Sequence, residues 1–175
     1  VSMITIDLTG LDRFAAGYAK KASAVRPVVV RVLNRAGDQA ATALGRQLAK
    51  ETGLGVRQVR DSMRAKRASQ YDLVYVIIVS GGAVPLSEFA PRETRKGVSA
   101  NPWGKRRVFP GTFQGVAGAR VFRRVGKSRL PIKQLYGPDL AKEVDRGQSV
   151  DVVTNVVQEA FSKRIAHEVS RLLSS

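Results

Sequence analysis

Tyr71-Asp72-Leu73-Val74-Tyr75-Val76-Ile77-Ile78-Val79 is the stretch on which the fold turns. β-Branched and aromatic residues dominate it, Gly81 and Gly82 close it, and its apolar run from Leu73 to Val79 is the longest in the chain. That run is too short for an ordinary helix and far short of the roughly 20 residues that span a bilayer. It reads as a buried strand, the centre of a sheet. Met3 to Leu8 supplies a second strand: Ile4, Ile6 and Leu8 alternate with Thr5 and Asp7 before Gly10 ends the run. Met3 reads as a start, so Val1 and Ser2 are expected to carry no weight.

Between the two strands the period changes. Leu11 to about Ala24 has helical composition, and Pro27 suits the first turn of a second helix. In that helix Val29, Leu33, Ala36, Ala40, Leu44 and Leu48 recur at spacings of three and four. One stripe should therefore be buried, with Arg31, Arg35, Asp38 and Arg46 in solvent, to about Lys50, and Gly53 should stop it. Val56, Val59 and Met63 within LGVRQVRDSMRAKRA predict a short basic helix.

Beyond Pro85 the pattern is one of short strands: Lys96–Ala100, Arg107–Phe113, Arg120–Val125 and Ile132–Leu135, with Gly111, Gly115 and Gly118 marking an antiparallel excursion that reads as an arm. Val153, Val157, Phe161, Ile165, Val169 and Leu172 predict a final helix from about Ser149 to Leu173 that covers one face of the sheet. The expected architecture is a single α+β domain over 1–175. An antiparallel sheet is packed by long N-terminal and C-terminal helices, and an extended basic β-arm or loop lies around 92–130.

The chain carries 30 Lys+Arg against 14 Asp+Glu in 175 residues, a formal charge of +16, and the excess is local. Between residues 92 and 134, Arg92, Arg95, Lys96, Lys105, Arg106, Arg107, Arg120, Arg123, Arg124, Lys127, Arg129 and Lys133 face one acid, Glu93. So many cations repel one another without an anionic partner, which points to nucleic acid, an anionic membrane face or an acidic protein surface. Trp103, Phe109, Phe113 and Phe122 sit among them, and two readings stay open for these rings: stacking on a ligand, or anchoring strands to the core. At 43% hydrophobic residues the chain is not a wholly disordered polycation. With no long apolar run and no basic region followed by an apolar block, it is expected to be soluble and without an ordinary export signal.

Catalytic and cofactor chemistry finds no footing. The chain has no cysteine, so disulfides and thiolate metal sites are excluded. Gly126-Lys127-Ser128 lacks the earlier glycine of a phosphate loop, since Val121 stands there, and Pro131 opposes a following helix, so it reads as a basic turn. Gly53-Leu54-Gly55 reads as a helix terminator and turn. His167, the only histidine, has no cysteine or carboxylate cluster beside it. Asp139, Glu143 and Asp145 alternate with Lys142 and Arg146, as on a solvated helix surface with local ion pairs. No enzyme, cofactor, metal or small-molecule substrate is expected.

Asn101-Pro102-Trp103-Gly104, RRVFPGTF, RVFRR and the closing RLPIKQLYGPDL, with TGL and VR at 52–60 and RAKRA at 64–68, resemble the minor tail protein Z, or tail completion, family of lambda-like tailed phages and prophages. The strong part of the resemblance covers about 95–140. Leu135-Tyr136-Gly137-Pro138, with the preceding Leu130-Pro131-Ile132, is its most distinctive piece, and Asp139 stands where that family often has a small hydroxyl residue. The resemblance implies a non-enzymatic virion component at the head-proximal end of the tail, acting in tail maturation and head–tail joining within a ring around the DNA channel. It also implies an α+β fold, contacts with other tail or neck subunits, and a place in the virion after assembly in the host cytoplasm. On this reading Lys105, Arg106, Arg107, Arg120, Arg123, Arg124, Lys127 and Arg129 face DNA or an acidic partner, and Trp103, Phe109, Phe113, Leu135 and Tyr136 form a subunit interface. The alternative is a free nucleic-acid-binding protein that uses the same basic surface.

Overall fold

The computed structural model describes residues 2–6, 22–115 and 120–173. Its spine is helix α1, Ala22–Thr52. Val29, Leu33, Ala36, Ala40, Leu44 and Leu48 are all buried, as their spacing predicts, and Arg31, Arg35 and Arg46 lie in solvent. The expected break near Pro27 is absent, because α1 runs through that residue. A proline so near the start removes one backbone donor, a loss that the long buried stripe beyond it outweighs. Up to residue 21, the helix expected over 11–24 lies outside the described residues, as does the end of the first strand at Leu8.

Helix α1 ends as its sequence predicts. Gly53 has φ 78° and donates its N–H to the Ala49 carbonyl at 2.9 Å, a left-handed closure that glycine adopts without strain. A second constraint acts at the same atom: a Cβ on Gly53 would lie 2.6 Å from the Gly104 nitrogen and 2.8 Å from the Asn101 carbonyl oxygen. The Asn101–Gly104 turn is therefore pressed onto the end of the spine.

One face of α1 carries a three-stranded antiparallel sheet of β1 (Ser2–Ile6), β2 (Met63–Lys66) and β3 (Tyr75–Val79), in the order β1-β3-β2. The central strand is the one that the apolar run predicts, shortened to its last five residues. Ser2 pairs with Val79 and Ile6 with Tyr75, so Ser2 belongs to the fold; it is buried and donates to Asp145 Oδ1 at 2.8 Å. The basic helix expected after Gly55 is the short α2, Val56–Asp61, and from Met63 the chain turns into edge strand β2. Arg64 and Lys66 on that edge protect it against adventitious pairing.

Beyond β3, β4 (Ala83–Pro85) pairs with β11 (Tyr136–Asp139). The basic window forms two further three-stranded antiparallel sheets: β5 (Arg92–Thr94), β6 (Gly97–Ala100) and β7 (Arg107–Pro110), then β8 (Thr112–Gln114), β9 (Val121–Arg124) and β10 (Ile132–Gln134). The run expected over 107–113 splits into β7 and β8 at Gly111, where φ is 68°. Val98, Ala100 and Val121 join Tyr75, Ile77, Leu44 and Leu48 in one buried cluster, which roots both small sheets in the core.

Helices α3 (Leu140–Arg146) and α4 (Ser149–Leu173) close the chain, α4 within the bounds its periodicity predicts. Its main partner is α1, however, and not the face of a sheet. Val153 and Ala160 are buried, whereas the side chains of Ile165, Val169 and Leu172 lie outside the described residues. Glu51, in the last turn of α1, fixes the start of α4: its carboxylate accepts from Gln148 N at 3.1 Å and from Ser149 Oγ at 3.1 Å. Gln148 is the N-cap, since its carbonyl takes the Val152 N–H at 3.0 Å, and a carboxylate there also meets the positive end of the helix dipole. Asp139 caps α3 in the same manner, accepting from Ala141 N at 3.2 Å. A Ser or Thr hydroxyl accepts at such a cap as an Asp carboxylate does.

Candidate partner-binding surface

The basic window puts its cations in solvent, and among the described residues none of them pairs with an acid. Among the described residues the ion pairs lie elsewhere: Lys66 with Asp72, Arg67 with Asp38, Lys142 with Asp139, and Lys163 with Glu159. Lys105, Arg106, Arg107, Arg120, Arg123, Arg124, Lys127 and Arg129 are all exposed. Of these, Arg106 has a structural tie, donating to Ser99 Oγ at 3.3 Å and to the Ala90 carbonyl at 3.1 Å.

Strand register sorts the second basic sheet into two faces. Thr112, Arg123 and Lys133 lie directly across from one another, as do Phe113, Phe122 and Gln134, and Arg124 lies across from Ile132. Arg123 and Lys133 thus share the face that carries buried Val121 and Thr112. Like charges directly opposite on adjacent strands destabilise a sheet, and among the described residues neither pairs with an acid that would offset the repulsion. The other face bears Phe113 and Phe122, with ring centroids 6.1 Å apart, together with Arg124 and Ile132.

The aromatic rings are engaged inside the chain. The Arg107 guanidinium lies 5.1 Å from the centre of the Trp103 ring and 4.9 Å from that of Phe109, and Arg124 lies 5.4 Å from Phe113. Trp103 Nε1 donates to Glu143 Oε1 at 3.0 Å, which fastens the Asn101–Gly104 turn to α3. Trp103 has φ 55°, a rare conformation for a bulky residue that this turn imposes. Among the expected interface residues, Phe109 and Leu135 pack partly buried against the core, Phe113 is half-buried, and Trp103 and Tyr136 are exposed. Gly137 lets Phe89 approach, since a Cβ there would lie 2.6 Å from its ring, and Pro138 is buried. The Leu-Tyr-Gly-Pro motif is thus inward, outward, inward, inward. Val125, Leu130 and Ile132, beside the same strands, are exposed aliphatics outside the expected set of interface residues, although Leu130 and Ile132 belong to the distinctive closing motif. Their signal was aliphatic side chains in and beside a turn otherwise made of Gly126, Lys127, Ser128 and Arg129.

Among the acids expected on a solvated surface with local ion pairs, Asp139 does pair with Lys142, and all three also have structural work: Asp139 caps α3, Glu143 holds Trp103, and Asp145 holds Ser2. Asp38 joins α1 to the sheet, taking the Tyr75 hydroxyl at 2.8 Å and the Arg67 guanidinium. Burial and the neighbouring carboxylate push the Tyr75 phenol up to about 12, and Asp38 raises Arg67. Gly126-Lys127-Ser128 lies in the exposed bend between β9 and β10, with no helix after it. His167 is exposed on α4, lining a shallow cleft with Gln39, Glu159 and Lys163. Among the described residues no cluster of His, Cys, Asp or Glu could hold a metal ion, and no helix is long and apolar enough to cross a membrane.

The fold and this surface define a mixed α/β subunit whose distinguishing feature is an unneutralised basic face built on two small antiparallel sheets. A family model described as prophage minor tail protein Z (GPZ) matches residues 18–174, nearly the whole chain. The chain belongs to that family and is a structural component of a phage tail. No curated protein and no solved structure matches it.

Proposed function

We propose that this chain is a tail-completion subunit: a single-domain, non-enzymatic protein at the head-proximal end of the tail that joins a ring around the DNA channel and prepares the tail for head attachment. The observation that carries the reading is the side-by-side placement of Arg123 and Lys133, with no acid paired to either among the described residues. This arrangement weakens the isolated subunit and becomes favourable only beside an anionic neighbour. Lys105, Arg107, Arg120, Lys127 and Arg129 extend the same field, and within a tail the available anions are DNA in the channel and acidic neighbouring subunits. Trp103 and Tyr136, exposed beside the cations, are the contact residues toward neighbouring copies or neck proteins, with Phe109, Phe113 and Leu135 supporting them from below. Assembly takes place in the host cytoplasm.

Free nucleic-acid binding through stacked bases is the weaker reading. Arg107 already lies over Trp103 and Phe109, and Arg124 over Phe113, so a base would have to displace a cation held on each ring. Electron microscopy of purified particles carrying an affinity label on this chain tests the proposal. Label at the tail end nearest the head, in a closed ring, is the expected result; label at the distal tip or along the tube would refute it.

A further inference from the structure

We infer that the outward face and tip of the β8–β9–β10 sheet dock into an acidic-rimmed, apolar-centred pocket on another tail protein. This inference rests on the tail-subunit reading. Register places Phe113, Phe122 and Ile132 on the face opposite the one that buries Val121, so the sheet has a core side and an outer side. The outer side is not polar, as a solvent-facing antiparallel sheet ordinarily is. Ile132 is 38% exposed, and the neighbouring turn adds Leu130 at 68% and Val125 at 53%. Gly115 belongs to the same surface, because a Cβ on it would lie 2.8 Å from the Phe122 ring. Around these apolar groups stand Arg124, Lys127 and Arg129, all exposed and, among the described residues, paired with no acid.

An apolar centre with a charged rim, arginine included, is the anatomy of a protein–protein interface. Its charge selects the partner. A second copy applying the same face would bring Arg124, Lys127 and Arg129 against their own counterparts, whereas an acidic rim satisfies them. Duplex DNA would engage the cations and leave Leu130, Ile132 and Val125 in water, since phosphate contacts draw on charge and polar groups.

The test uses the full chain and purified tails from a prophage in which this gene is deleted. Wild-type protein should co-sediment with those tails, and Leu130→Ser with Ile132→Ser should weaken binding at least about tenfold, the loss expected for two central interface side chains. Both residues are exposed, so circular dichroism and melting of the variant should match wild type. Val56→Ser, at an exposed apolar site on α2, should bind normally. Binding should fall only several-fold between 50 and 200 mM salt, against the roughly 10³–10⁵ expected for six to ten phosphate contacts. Unchanged binding by the double variant overturns the docking face while leaving the tail reading intact. Displacement of wild type by random-sequence duplex DNA, with the steep salt response, overturns it in favour of nucleic acid. Failure of the wild-type chain to bind such tails at all overturns the tail reading itself.

Discussion

Replacing Lys133 by Glu should make this protein more stable and less useful. Lys133 lies directly across from Arg123 on neighbouring antiparallel strands, a placement that brings the two Cβ atoms to about 4.5–5.5 Å. Both side chains are exposed, so the interaction is that of charges in water: about 1 kcal/mol at 4 Å, and less with salt. Cross-strand charge pairs contribute roughly 0.2–1 kcal/mol, with the sign set by the charges. Changing repulsion into attraction should therefore stabilise the fold by about 0.5–1.5 kcal/mol. For a chain of this size each kcal/mol moves Tm by roughly 2–4 °C, so Lys133→Glu should melt about 1–6 °C higher at low salt. Lys133→Gln should fall between the two. In 1 M salt, where the screening length is about 3 Å, most of the difference should vanish. Differential scanning calorimetry at two salt concentrations is the assay. A Lys133→Glu protein that melts at or below wild type at low salt refutes the repulsion. A gain that persists undiminished in 1 M salt shows that packing, and not charge, was responsible. In complementation of a prophage deletion, the more stable variant should support fewer joined particles.

Gly37→Ala should destabilise by about 1–3 kcal/mol in urea melts, because its Cβ would meet the Tyr75 ring at 2.4–2.6 Å, and a buried ring pinned by Asp38 has little room to move. Tyr75 also predicts a pH dependence. Its folded-state phenol is raised to about 12 against an ordinary 10, so its contribution is fully present below pH 10. That contribution is lost at up to about 1.4 kcal/mol per pH unit as pH rises toward 12. Tyr75→Phe should flatten that part of the stability profile relative to wild type. Glu51→Ala should cost roughly 1–2 kcal/mol and fray the start of α4, since Gln148 N and Ser149 Oγ lose their acceptor; hydrogen exchange at the first turn of α4 is the readout.

Local chemistry made much of this fold legible. The stripe on α1, its stop at Gly53, the apolar core of β3 and the bounds of α4 all follow from periodicity and caps that lie within one segment. The misreadings share a cause in tertiary context. Pro27 looked like a helix start because its fixed φ suits one, but the stripe that holds α1 together acts through packing on other elements. Met63–Lys66 looked helical because apolar and basic residues alternate ambiguously over so short a run; pairing with β3 decided it. The stripe on α4 predicted a buried face without saying whether a helix or a sheet would cover it. In the candidate surface, the cations were plain from composition. Their separation onto two faces, the arginines lying over the rings and the place of Ile132 on the outer face depend on strand register, which no single segment encodes.

Head–tail joining in a prophage carrying a clean deletion of this gene tests the central claim most directly. Particles counted by electron microscopy, alongside infectivity, should show filled heads and tails accumulating separately, restored by the wild-type gene and poorly restored by Lys133→Glu. Normal joined, infectious particles from the deletion would contradict the account.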